Sequence, residues 1–84
     1  MTKAERRKLG EFTAELGFAV RDFYGGKISE LKFNAKNQSF NDVPTVTVFS
    51  KGKRIAVLEL EETDEIAVLS AVTAFLMNEK EREE

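Results

Sequence analysis

The side chains that can carry chemistry in this chain are carboxylates, lysines and arginines, because its 84 residues include no cysteine, histidine or tryptophan. Cysteine and histidine supply the ligands of zinc, haem and iron–sulfur sites. Histidine is also the commonest general base, and the cysteine thiolate is a strong nucleophile. The sequence therefore predicts a protein that is not an enzyme and that has no catalytic residues, no metal site and no cofactor.

One short motif points the other way. Asp22, followed by Glu30 and Lys32 in the order Glu-Leu-Lys, resembles the D…E-x-K signature of the restriction-endonuclease-like nucleases. In that family an acidic pair holds Mg²⁺ and a lysine assists the attacking water, so the resemblance implies those roles here. The predicted strand pairing, however, sets Asp22 on the opposite sheet face from the other two and pairs Arg21 with Glu30. A metal-dependent nuclease is therefore the least favoured function.

Charged residues are unevenly distributed along the chain. Residues 1–54 carry eleven basic and six acidic side chains, a net charge of +5, whereas residues 55–84 carry two basic and nine acidic ones, a net charge of −7. This polarity fits ordinary solvated surfaces, a basic surface for an anionic partner, an acidic surface for a basic partner, or self-association through opposite ends. The basic residues that could follow a phosphate backbone are Lys3, Arg6, Arg7, Lys51, Lys53 and Arg54.

The acidic part of the chain supports a hypothesis of its own. Its carboxylates can serve solubility and helix capping, or they can imitate nucleic-acid phosphates and occupy the basic groove of a DNA- or RNA-handling protein. Small acidic accessory and inhibitor proteins of phages and mobile elements act in this second way, and the size of the chain suits such an origin by analogy. The residues concerned include Glu59, Glu61, Glu62, Asp64 and Glu65.

The N-terminal segment has the pattern of a helix with two possible ends. Thr2 and Glu5 form a T-x-x-E capping box, and Leu9, Phe12 and Leu16 follow at spacings of three and four. The glycine and phenylalanine that come next fit a helix C-cap, and glycine inside a helix costs about 1 kcal/mol. We therefore expect the helix to end at Leu16, and the alternative is an end near residue 23.

Two hairpins follow if the helix ends at Leu16. The first covers residues 18–33 and turns at Gly25-Gly26, and the second turns through a three-residue loop at residues 51–53. Period-2 alternation in the second hairpin places one set of side chains on one face, namely Val46, Val48, Ala56, Leu58 and Leu60. The other face carries Thr45, Thr47, Phe49, Ile55 and Val57.

The last segment predicts a second helix and completes the fold. Thr63 opens it, and residues 78–84 form a charged, frayed tail. The fold class is α+β: an N-terminal helix, an antiparallel sheet of four strands, and a C-terminal helix, in a single domain of residues 1–84. The sheet has three strands if the first helix extends to residue 23, and both helices lie mainly on one sheet face. The apolar stripe of the last helix consists of Val68, Leu69, Val72, Phe75 and Leu76.

With three strands, the order of elements resembles that of the double-stranded RNA-binding domain. The resemblance is one of topology and carries no residues across, because that family places a lysine cluster where this chain begins its last helix with Thr-Asp-Glu-Ile. Nucleic-acid binding is the alternative function, through the basic N-terminal helix and the hairpin tip at residues 51–54.

A protein–protein interaction module is the favoured function. The sheet face turned away from the helices would carry a contiguous apolar patch, which we expect to form a homodimer or to bind a protein partner. The N-terminus has no signal-peptide pattern and no apolar run is long enough to cross a membrane, so we expect a cytoplasmic protein without membrane contacts. The predicted interface residues are Phe23, Ile28, Phe49, Ile55 and Val57, with Arg21 and Lys32 at the rim.

Overall fold

The computed structural model describes residues 2–23, 27–34 and 44–83, without the side chains of Phe23 and of residues 80–83. The three strands of the described chain form one antiparallel sheet in the order β1-β2-β3. The α+β class and both terminal helices are confirmed, with the three-stranded sheet that accompanies the longer first helix. The elements are α1 (Lys3–Phe23), β1 (Glu30–Asn34), β2 (Thr45–Ser50), β3 (Lys53–Glu59) and α2 (Glu65–Glu83).

α1 begins where the capping box predicts and continues past the favoured end. The Glu5 amide donates a hydrogen bond of 3.1 Å to Thr2 Oγ1, which caps the helix. α1 then runs through Gly17 to Phe23, because this glycine serves close packing and does not end the helix. A Cβ atom at Gly17 would lie 3.0 Å from the backbone nitrogen of Leu31. The absence of a side chain lets α1 approach β1, and this contact offsets the low helix propensity of glycine.

The hairpin predicted for residues 18–33 is wrong. Residues 18–23 belong to α1, and the glycine turn of that hairpin lies outside the described residues. β1 pairs with β2 instead, which sets Leu31 opposite Val48. Because Arg21 is a helix residue, its predicted cross-strand pairing with a glutamate of β1 is wrong as well.

The β2–β3 hairpin has the predicted faces but a different turn. Two residues make the turn, Lys51 and Gly52, with φ angles of 54° and 80°. Positive φ at both positions is the type I′ pattern, which suits the twist of a hairpin. The turn is one residue shorter than the predicted three-residue loop. A bulge shifts the register between Val48 and Phe49, and β3 accommodates the additional residue there. From Val48 to Thr45 the partners of β2 are those that the three-residue loop predicts.

α2 starts one residue later than predicted. Asp64 caps it rather than Thr63, because Asp64 Oδ1 accepts a hydrogen bond of 2.7 Å from the Ala67 amide. The helix continues to Glu83, into the segment predicted as a charged tail.

The core lies between the sheet and both helices. Its apolar side chains come from one face of the sheet and from one side of each helix, which is the arrangement predicted for the two helices. Thr13 is also buried, and its hydroxyl donates to the Leu9 carbonyl at 2.7 Å. The buried apolar residues are Leu9, Val20, Ile28, Leu31, Val46, Val48, Leu60, Val68 and Val72.

Candidate interaction surface

The sheet face opposite the helices carries three large apolar side chains. Phe49 of β2 and Ile55 and Val57 of β3 alternate with the residues that face the core. Ile55 and Val57 are each 47% exposed, and Phe49 is half-buried. Because both helices pack on the core side, no described helix covers these side chains. We call this surface the open sheet face; it consists of Glu30, Lys32, Asn34, Thr45, Thr47, Phe49, Arg54, Ile55, Val57 and Glu59.

Polar groups at the centre of the open sheet face are satisfied within the sheet. Thr47 is only 7% exposed, because its cross-strand neighbours Lys32 and Val57 flank it. Its hydroxyl oxygen accepts a hydrogen bond of 3.2 Å from Asn34 Nδ2. The face is therefore ordered by its own cross-strand pairs, with its apolar side chains toward β3.

Three predicted interface residues lie elsewhere. Ile28 precedes β1 and is only 5% exposed, because it packs in the core. Arg21 is exposed on α1, where its guanidinium carbon lies 5.2 Å from the centre of the Phe18 ring. Phe23 ends α1, and its side chain lies outside the described part of the chain. Arg21 and Phe23 are predicted on a strand of residues 18–24, of which residues 18–23 are the last part of α1, whereas Ile28 is predicted on the next strand, which begins only at Glu30. Phe49, Ile55, Val57 and Lys32 remain together.

α2 has a second apolar side that the single predicted stripe does not include. Ile66 and Met77 are 75% and 61% exposed, and Leu69, a predicted core residue, is 47% exposed. At 100° per residue the three side chains lie within about 80° of arc, on the side away from Val68 and Val72. The spacing of three and eleven residues in the sequence is the signal that could have identified this second side.

β3 is an edge strand with opposite charges at its two ends. It pairs with β2 on one side, and no strand among the described residues pairs with its other side. Lys53 at its start and Glu59 at its end are exposed. Neither charge has an ionic partner within the described part of the chain. An open edge of this kind can accept a further strand.

The six candidate nucleic-acid-binding residues lie at two ends of the molecule. Three occupy the first turns of α1, beside the start of α2, where Lys8 Nζ lies 3.9 Å from Glu65 Oε1. The other three lie at the hairpin tip, where the Gly52 amide is 3.4 Å from Ser29 Oγ. β3 runs between the two ends, and seven residues of strand span about 20 Å. The structure therefore does not join them into one patch; they are Lys3, Arg6, Arg7, Lys51, Lys53 and Arg54.

Acidic residues line a groove where β3 ends. The groove has a volume of about 400 Å³ and lies between the end of the sheet and the first turns of α2. On its α2 side the groove is lined by Ile66 and by the small side chains of Ala67, Ser70 and Ala71. The acidic side chains that line it are those of Glu59, Glu61, Glu62 and Asp64.

The residues of the nuclease-like motif are divided between two elements. Asp22 lies in α1, whereas Glu30 and Lys32 lie on β1 and on the open sheet face. Within residues 2–23, 27–34 and 44–83, no three Asp or Glu side chains are grouped so that they could hold a metal ion.

The chain matches no protein-family model, no curated protein and no solved structure. Neither of the described helices has an apolar stretch of the length that crossing a lipid bilayer requires.

Proposed function

We propose that this chain is a non-catalytic protein-interaction module that assembles with a protein partner through the open sheet face. The observation that supports this most is the 47% exposure of both Ile55 and Val57, beside Phe49, on a face that no described helix covers. Removing apolar surface from water contributes about 25 cal/mol per Å². A complex in which a partner covers these three side chains is therefore stabilised by their burial.

The composition of the open sheet face fits a protein partner. Its apolar side chains lie next to one another on β2 and β3, and charged side chains stand at its margins, among them Lys32 and Glu59. Protein interfaces commonly have this arrangement, with a largely uncharged centre and a polar rim. Phosphate-binding surfaces instead concentrate basic side chains.

Val57→Glu tests the proposed function directly. It places a charge within the apolar part of the open sheet face, and burying an unpaired charge at an interface costs several kcal/mol. We expect assembly, measured by sedimentation velocity over a series of protein concentrations, to weaken at least about tenfold.

Leu69→Glu is the matched control, because Leu69 has the same 47% exposure but lies on α2. We expect it to assemble like the wild type, and circular dichroism should show both variants folded. Disruption by Leu69→Glu but not by Val57→Glu would assign the interaction to α2 and contradict the proposal.

Nucleic-acid binding is the second candidate, and the order α1-β1-β2-β3-α2 favours it because it is the topology of the double-stranded RNA-binding domain. If duplex RNA binds, Arg6→Glu with Arg7→Glu should abolish its retention, and retention should fall steeply with salt. The control is Glu11→Lys, an exposed change on the same helix that should not weaken retention. Failure of the wild-type protein to retain labelled duplex RNA at low salt would exclude this candidate.

A further inference from the structure

Charged side chains stand along both margins of the open sheet face, and each margin carries both signs. β1 carries Glu30 and Lys32 on one margin, and β3 carries Arg54 and Glu59 on the other. All four side chains are exposed, and the part of the chain that the structure describes offers none of them an ionic partner. Glu30 and Arg54 lie at the same level of the sheet, because both pair with Phe49. The four charges are therefore available to a partner.

A two-fold axis along β2 matches these charges between two copies that pack face to face. The axis sets β1 of each copy over β3 of the other and keeps the level along the strands. Glu30 of one copy then faces Arg54 of the other, and Lys32 faces Val57. Glu59 is the next side chain on that face of β3, about 7 Å from Val57, which is within reach of the Lys32 side chain. Symmetry forms both contacts twice.

The apolar side chains of the open sheet face lie between the charges in this arrangement. Phe49 is on the axis and meets Phe49 of the other copy, while Ile55 and Val57 pack over β1 of that copy. The side chains of two sheets packed in this way interdigitate across about 10 Å, a gap that paired charged side chains can span. The aliphatic stem of Lys32 can cover Val57 while its ammonium group stays at the rim. The dimer thus removes from water the two side chains of this face that are each 47% exposed.

Two-fold axes along the other two strands, or across the strands, oppose like charges. An axis along β1 sets Glu30 against Glu30 and Lys32 against Lys32, and an axis along β3 sets Glu59 against Glu59. An axis across the strands at Thr47 again sets Lys32 against Lys32. The net charge of the chain is only −2, so long-range repulsion between copies is small. The charge pattern therefore permits self-association and favours the axis along β2.

We propose that the partner of the open sheet face is a second copy of this chain, packed face to face about a two-fold axis along β2. The two three-stranded sheets then form the inner layers of a sandwich, with the helices of each copy on the outside. This inference rests on the proposed function and names its partner. Each face meets one other face, so the assembly closes at two. A face three strands wide makes a small interface, so we expect a reversible dimer.

A charge exchange between separately purified variants tests this geometry. Glu30→Arg alone places two arginine–arginine contacts in the dimer, and Arg54→Glu alone places two glutamate–glutamate contacts. We expect each variant to dimerise at least about tenfold more weakly than the wild type in sedimentation velocity. When the two variants are mixed, both contacts join opposite charges, so the mixture should form a heterodimer with an affinity close to that of the wild type. Glu11→Arg and Arg7→Glu, the same charge changes at exposed positions of α1, are the matched controls and should dimerise like the wild type.

The outcomes separate this inference from the proposed function. Rescue in the mixture supports the face-to-face dimer, and it cannot arise from variants that fail to fold. A dimer that both single variants leave unchanged, but that Val57→Glu disrupts, overturns this geometry and preserves the role of the open sheet face. A mixture that stays as weak as the single variants also overturns it. A wild type that is monomeric at every concentration does so too, and the proposed function then stands only if Val57→Glu abolishes binding to some other protein.

Discussion

Gly10 and Gly17 occupy the same helix in different surroundings, and this difference predicts opposite effects of one substitution. Among the described residues, no atom outside the backbone of α1 itself and the two chain neighbours lies within 4 Å of a Cβ at Gly10, so Gly10→Ala should raise the free energy of unfolding by about 0.5–1 kcal/mol through helix propensity. At Gly17 the new Cβ meets the backbone of Leu31 at 3.0 Å, so Gly17→Ala should lower it by about 1 kcal/mol or more. Urea denaturation measures both. Equal stabilisation by the two variants would contradict the close approach of α1 to β1.

Asp64 and Thr63 predict a second contrast between neighbouring residues. Asp64 Oδ1 accepts a hydrogen bond from the Ala67 amide, so Asp64→Ala should lower the free energy of unfolding by about 1 kcal/mol. Thr63→Ala, the control, should change it by less than about 0.5 kcal/mol, because Thr63 is exposed and lies outside the helix. A larger loss at Thr63 in thermal or urea unfolding would restore Thr63 as the cap.

The β2–β3 hairpin combines a two-residue turn with a bulge, and its stability depends on the positive φ of Gly52. An alanine there must adopt φ near 80°, which side chains disfavour, so Gly52→Ala should lower the free energy of unfolding by about 1 kcal/mol. Space is not the cause, since no atom of the described residues, apart from the two chain neighbours, lies within 4 Å of a Cβ at this position. Stability equal to that of the wild type in urea denaturation would contradict the turn geometry.

Hairpin and helix differ in how far the sequence predicts them. The faces of β2 and β3 follow from period-2 alternation, which holds whether the extra residue lies in the turn or in a bulge. The local pattern does not predict where α1 ends. Glycine is needed at position 17 because Leu31 approaches it closely, and Leu31 lies fourteen residues away in the sequence and contacts it only after folding. The local rule for a glycine C-cap therefore favours the wrong end.

α2 shows the same limit in another form. The prediction of a single apolar stripe misses a second set of apolar residues, Ile66, Leu69 and Met77, which share the outer side of the helix. A helix that is apolar on two sides has little net amphipathicity, so its buried side depends on where the sheet lies.

In the whole molecule, basic and acidic side chains that are separated along the sequence are also separated in the fold. The positive hairpin tip and the acidic groove lie at opposite ends of β3, about 20 Å apart. The interface residues predicted from the strands β2 and β3 share one surface. Arg21 lies on α1 because the predicted strand that contained it is helical, and Ile28 is buried in the core because β1 begins only at Glu30. The sequence therefore predicts those members of the candidate site whose position depends on strand alternation alone.

The accessibility of residue 57 in the assembled protein decides whether the open sheet face is the interface, and it can be measured with a single thiol because the chain has no cysteine of its own. Val57→Cys and Leu69→Cys each place one thiol at a position that is 47% exposed, the first on the open sheet face and the second on α2. We predict that assembly slows alkylation of the Val57→Cys thiol by iodoacetamide at least about tenfold and leaves the rate for Leu69→Cys unchanged. Protection of the Leu69→Cys thiol without protection of the Val57→Cys thiol would contradict docking on the open sheet face.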